Sequence, residues 1–296
     1  MKSIIKVFSV LFIMSICFVL STQKAAAQNV SVSMQVFYDQ LSPHGKWVNH
    51  ARHGYVWVPG VEVGVGFSPY STNGHWRLTN EGWTWISDYS WGWAPFHYGR
   101  WDRDITIGWI WIPDTKWGPA WVNWRKDNDH FGWSPMEPSR NYNQKDYNNH
   151  NDRWTFVNNR DIDKPDVRNY YIDRSKNVTI IRKTTIINNT HVNNSTHVTY
   201  NTGPKVIDVE KATGHKIQVA SVVNSDKPGQ NESTDKVQIY KPAVTQKNDN
   251  GKKPVPAKVD NWQDVKNQKK AENPSPQNSN KDAKKPEPQK KPPVKS

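Results

Sequence analysis

The chain has 296 residues, a formal net charge of +13, 16 tryptophans and a single cysteine. One thiol excludes an intramolecular disulfide framework and a zinc centre built on several cysteines. The charge is uneven: residues 28–140 carry nine basic against ten acidic side chains, 141–224 twelve against eight, and 225–296 sixteen against nine. The Trp-rich part is therefore close to neutral, so the overall basicity does not describe its ligand and nucleic acid is not expected as a partner.

Residues 1–27 combine Lys2 and Lys6, an apolar run from Val7 to Leu20, and Ala25-Ala26-Ala27 before Gln28. This is the layout of a cleavable secretory signal peptide. The run is short for a membrane span, and no later segment has the roughly 18 apolar residues that a transmembrane helix needs, so the mature chain is expected to have no transmembrane segment. Cys17 lies within the signal and follows Ile16 instead of a small residue, which argues against a lipid anchor. The expected location is exported: periplasmic, envelope-associated or secreted.

Residues 28–138 hold 14 of the tryptophans and a repeat. GKWVNHARHGYVWVP (45–59), GHWRLTNEGWTWI (74–86) and GRWDRDITIGWIWIP (99–113) share one pattern, and AWVNWRKDNDHFGWSP (120–135) is a degenerate fourth copy. Recurrence of this kind marks one supersecondary unit used repeatedly. Within each copy the period is two: Tyr55 and Trp57, Trp83 and Trp85, Trp109 and Trp111 alternate with β-branched or polar residues, which predicts strands. Turn residues TNEG (79–82) and KDND (126–129) make each copy a β-hairpin, and four hairpins predict an antiparallel barrel or small sandwich. The fold class expected is mainly β, with a small α+β region and a disordered tail after the repeats.

Strands 55–58 and 109–112 are apolar on both faces, aromatic on one and aliphatic (Val56, Val58, Ile110, Ile112) on the other. Either the tryptophans form the core, the usual place for aromatics, or Trp57, Trp83, Trp85, Trp109 and Trp111 face outward as a candidate ligand platform. Gly54, Gly82, Gly92 and Gly108 sit beside large rings, where a missing side chain lets a ring cross the backbone or completes a turn. Lys46, His75 and Arg100 follow the leading glycine of each copy; a solvated strand face is favoured over a ring of cations for an acidic polymer.

YSWGW at Tyr89–Trp93 and HYGRW at 97–101 resemble the YXWGXW-motif, Trp-rich exported proteins of bacteria, a group without an established biochemical function. The resemblance extends to FYDQLSPHGKW (37–47), PAWVNWR (119–125) and GWSPMEP (132–138). It implies an exported β module and brings no catalytic residues.

Residues 139–153 read as an Asn-rich linker. In the β-rich α+β region 154–224, four hexads from Thr179 to Thr202 place Ile180, Ile186, Val192 and Val198 at the same position; a long strand or hairpin is favoured over a β-helix, which needs more coils. Pro204, Val206, Val209 and Gly214 then mark a short helix, followed by a strand from Lys216. Residues 225–296, rich in Lys, Pro, Gln and Asn, are expected to be disordered.

Chemistry is sparse. No phosphate loop, nucleophile elbow or HEXXH is present. His50 with His53, and His191 with His197, come nearest to metal spacing, and surface or turn roles are favoured for both pairs. Asp102 with Asp104 could be imagined as paired carboxylates for glycoside hydrolysis, but their position in a turn is ordinary. The expectation is a non-enzymatic structural or interaction protein of the cell envelope, without cofactor or metal. Its expected partner is an envelope protein or polymer (peptidoglycan, polysaccharide or another anionic surface), and a carbohydrate-binding module is the alternative.

Overall fold

A computed structural model describes residues 31–138, 151–193, 196–248 and 250–272. The expected signal peptide and residues 139–150 of the expected linker lie outside these. β1 is Ser31–Ser33, and everything below lies in one compact unit that begins at Val32.

Helix α1 (Gln35–Leu41) precedes the four hairpins, each at the position of one sequence repeat. They are β2 (Gly45–His50) with β3 (Gly54–Pro59), β4 (Gly74–Thr79) with β5 (Gly82–Ser87), β6 (Arg100–Asp104) with β7 (Gly108–Ile112), and β8 (Val122–Lys126) with β9 (His130–Pro135). The register explains the repeat. In every hairpin the first tryptophan lies directly opposite the last: Trp47 with Trp57, Trp76 with Trp85, Trp101 with Trp111, Trp124 with Trp133. Opposed residues project from one face, so each copy delivers a tryptophan pair to the same side of its sheet.

The leading glycine is part of that device. A Cβ on Gly45, Gly74 or Gly99 would stand 2.2–2.3 Å from a partner-strand carbonyl and 2.6–2.8 Å from the ring of Trp57, Trp85 or Trp111. Only a bare backbone lets the closing indole lie across the first strand. The fourth copy has Val122 in the equivalent place, opposite Pro135, and departs from this arrangement.

Among the described residues the strands form several separate sheets, and none closes into a barrel. The two outer hairpins of the first three copies meet at Trp57 and Trp111 to give the order β2-β3-β7-β6. β4 and β5 form a two-stranded sheet whose edges bond to loops: Trp83 N donates to Thr202 O, Trp85 N to Pro119 O, and Ala220 N to Leu78 O. These loops occupy the edges that closure would have used.

The region after the linker is not separate from the hairpins. β10 (Thr155–Asn158) pairs with β9 and β11 (Thr185–Ile187) with β8, so both extend the fourth hairpin into a four-stranded sheet. The hexads do not form one strand or a coil. The first lies in helix α2 (Asn177–Lys183), where Asn177, Ile180 and Thr184 are buried on one side and Ile180 joins Trp154 and Phe156. Spacings of three and four serve a helix, and the hexad position of Ile180 satisfies that period as well. The remaining hexads give β11 and a hairpin of β12 (Thr190–Asn193) with β13 (Val198–Asn201). Helix α3 (Val206–Thr213) ends at Gly214 in the left-handed region, as its residues predict; the next strand, β14 (Ser221–Asn224), starts later than Lys216.

The expected start of the tail, at 225, falls inside ordered structure. β15 (Gln230–Glu232) and β16 (Lys236–Ile239) join β14 in one sheet, β17 (Ala243–Thr245) follows, and helix α4 (Trp262–Glu272) ends the described chain. Composition missed these because a few buried anchors suffice: Val237 and Ile239 are fully buried, and Val265 is 1% exposed. Residues 273–296 lie outside the described residues.

Helix α4 also answers why strands 55–58 and 109–112 are apolar on both faces. Their aromatic side belongs to the main core, while Val48, Val56, Val58, Ile107 and Ile110 form a second cluster closed by Val265, with Trp262 and Ile112 at its rim. Asp260 N donates to Trp47 O and lays the approach to the helix along β2.

Candidate functional site

The five residues of the expected platform do not share one environment. Trp57, Trp83, Trp85 and Trp111 are interior, each at most 1% exposed, and cannot stack on a soluble ligand. The indole N–H of Trp57 donates to Leu41 O, that of Trp83 to Pro204 O and that of Trp111 to Tyr98 O. In these three, main-chain carbonyls of neighbouring segments satisfy a polar atom that burial removes from water. Edge-to-face contacts, such as Trp57 with Trp91 at 4.9 Å and Trp76 with Trp85 at 5.2 Å, continue through the interior. In total 13 of the 16 tryptophans are buried. An aromatic row was legible as a ligand platform or as a core, and hydrophobic burial decides for the core.

Trp109 is the exception. It is only partly buried and lines a cleft of about 470 Å³, to which the loop 60–67 contributes most of its residues. Arg103 is the cross-strand partner of Trp109 and projects from the same face. Arg174, Lys269, Asp152 and Glu272 complete the charged lining, and Val61 and Val65 of the loop are largely exposed. Arg103 pairs with Asp152, and Lys269 Nζ lies 3.1 Å from Glu272 Oε2. Of these groups the repeat pattern pointed only to Trp109. Lys269 and Glu272 come from α4, hidden in a low-complexity stretch, and Arg174 comes from a 3-10 turn with no motif.

A second cluster joins two pairs that lie apart along the chain. His50 and His53 stack with ring centroids 5.0 Å apart. His50 Nε2 faces Asp104 Oδ2 at 3.7 Å, and His53 Nε2 faces Asp102 Oδ2 at 3.5 Å. These separations are beyond a normal hydrogen bond. The other carboxylate oxygens are engaged: Asp102 Oδ1 accepts from Arg103 N, and Asp104 Oδ1 from Thr106 N and Ile107 N. Burial, then the charge of His50, holds His53 below its ordinary pKa, against the opposing pull of Asp102. Arg153 reaches Asp102 and Glu137 and ties the cluster to the end of the repeat segment. None of these His or Asp side chains lines the Trp109 cleft.

His191 packs on Tyr200, and His197 sits at positive φ in the turn between β12 and β13, so the two do not form a ligand pair. Lys46 bonds Gln268 of α4, and His75 Nε2 lies 2.9 Å from Glu232 Oε1. Arg100 lies 3.5 Å over the Trp121 ring, and burial pulls its pKa down to about 10. These three side chains have separate partners and form no ring. Asp127, Asp129 and His130, in the β8–β9 turn, bring three ligand atoms within 4.8 Å of one another. Asp127 Oδ1 already accepts from Asp129 N, His130 N and His130 Nδ1, which is a self-bonded turn.

His97 was not singled out by sequence. It is fully buried, with Nδ1 3.1 Å from Gly118 O and Nε2 3.2 Å from Gln230 Oε1, and burial pushes its pKa down to about 4.

The span of the four hairpins has a counterpart among known families. Residues 38–140 match the model of a family of unknown function (DUF6600). That span takes in β2 to β9, and hence every tryptophan pair of the repeat, and it stops before the strands and helices that complete the core. No curated protein and no solved structure matches the chain. The family description carries no activity and no ligand.

Proposed function

We propose that this chain is a non-enzymatic, exported structural or interaction protein of the cell envelope, in which the Trp-rich hairpins form a rigid scaffold. The observation that carries the reading is the use of the tryptophans: 13 of 16 are packed inside, so the repeat serves rigidity instead of display. A cysteine-poor domain gains stability from such packing where no disulfide is available. Export is supported by the layout of residues 1–27. Beyond α4, residues 273–296 contain six lysines and two acidic residues, a composition that attracts anionic polymers weakly and in a salt-dependent way.

The test is cell fractionation of the full-length protein with N-terminal sequencing. The proposal expects a mature N-terminus at Gln28 and recovery with the envelope or the medium. Cytoplasmic protein that keeps Met1 would overturn it. A second reading, carbohydrate binding, is favoured by one observation, the partly buried ring of Trp109 in its cleft.

A further inference from the structure

We propose that the cleft beside Trp109 binds a sugar ring carrying a carboxylate, of which a uronic acid is the simplest case; this deepens the carbohydrate reading and rests on it. Its volume of about 470 Å³ lies in the range of small-ligand pockets. Three features of the lining define the ligand together.

The first is a flat aromatic surface, the indole of Trp109, beside the apolar side chains of Val63 and Phe67. Such a surface suits the C–H face of a sugar. The second is charge. The lining holds three cations and two carboxylates, and both carboxylates already have cationic partners in Arg103 and Lys269. Arg174 has no ion-pair partner among the described residues, so the cleft presents one uncompensated guanidinium, a group suited to a carboxylate. The third is an unmet acceptor. Glu272 Oε1 is buried and accepts no hydrogen bond among the described residues, an unfavourable state that a ligand hydroxyl would relieve.

A neutral sugar would meet the first and third features and leave Arg174 unanswered. An aromatic acid would meet the first and second and leave Glu272 Oε1 without a donor. A sugar acid satisfies all three at once.

The test follows the indole N–H signals of the full-length protein by NMR during titration with glucuronate, glucose and benzoate, with the Trp109 signal assigned by its loss in Trp109→Phe. Glucuronate should shift the Trp109 signal, and glucose and benzoate should bind about tenfold more weakly. Arg174 is exposed on a turn and its replacement leaves the core intact; Arg174→Gln should weaken glucuronate about tenfold and leave glucose unchanged. A silent Trp109 signal, equal affinity for glucuronate and glucose, or an unaffected Arg174→Gln variant would overturn the assignment. Peptidoglycan fragments that move other indole signals while Trp109 stays still would overturn the cleft alone and leave the carbohydrate reading standing.

Discussion

Acid should destabilise this protein through His97. In the folded chain the imidazole is held down to about 4, against 6.5 for a free side chain, because it is fully buried between Gly118 O and Gln230 Oε1. Between those values the unfolded chain takes up a proton that the native state refuses, so stability falls as the pH falls from 6.5 to about 4 and levels off below. The gap corresponds to roughly 3 kcal/mol from this one residue. Urea unfolding followed by tryptophan emission, repeated between neutral pH and pH 4, measures the slope. His97→Gln retains a hydrogen-bonding side chain and removes the titration. It should be the less stable protein at neutral pH, because its packing against Trp117 is lost, and its deficit should shrink by roughly 3 kcal/mol as the pH approaches 4. Parallel pH profiles for the two proteins would refute the reasoning, since they would place His97 in a site that admits a proton freely.

Other consequences follow from the packing. Trp57→Ala removes an interior ring and its bond to Leu41 O and should cost about 3–5 kcal/mol in the same unfolding assay. Gly74→Ala forces a methyl to 2.3 Å from Ile86 O and 2.8 Å from the Trp85 ring, and should cost about 1–3 kcal/mol, while Gly251→Ala, with open space around it, should show only the cost of its positive φ, about 1 kcal/mol. Val265→Asp places a charge against Val48, Val56 and Ile110 and should release α4. Limited proteolysis would then cut between 246 and 261 much faster than in the parent protein; unchanged protection would mean that α4 is held by other contacts.

The hairpins were legible because two signals agree within each repeat, alternation of period two and a glycine or Asn/Asp turn, and the register shows why: the first and last tryptophans must meet. What could not be read was the direction of the tryptophan face. Strands 55–58 and 109–112 are apolar on both sides, and only the presence of α4 over Val56 and Ile110 explains the second side. That helix was hidden by composition, since among its 11 residues Val265 alone is buried and the rest resemble solvated chain. The first hexad misled in another way: Ile180 sits at a position compatible with both strand and helical periods, and the contacts with Trp154 and Phe156 select the helix. At the cleft, Trp109 was visible in the pattern. Arg103 carries no motif of its own, and Arg174, Lys269 and Glu272 come from segments joined to Trp109 by the tertiary fold alone.

The central claim is that the tryptophan rows form the interior of the molecule. Iodide quenching of tryptophan emission in the folded full-length protein tests it most directly. Only Trp109, Trp117 and Trp262 are partly exposed among the 16 tryptophans, so most of the emission should resist the quencher and become accessible only in denaturant. Quenching of most of the emission in the native protein would contradict the account and return the rows to the surface.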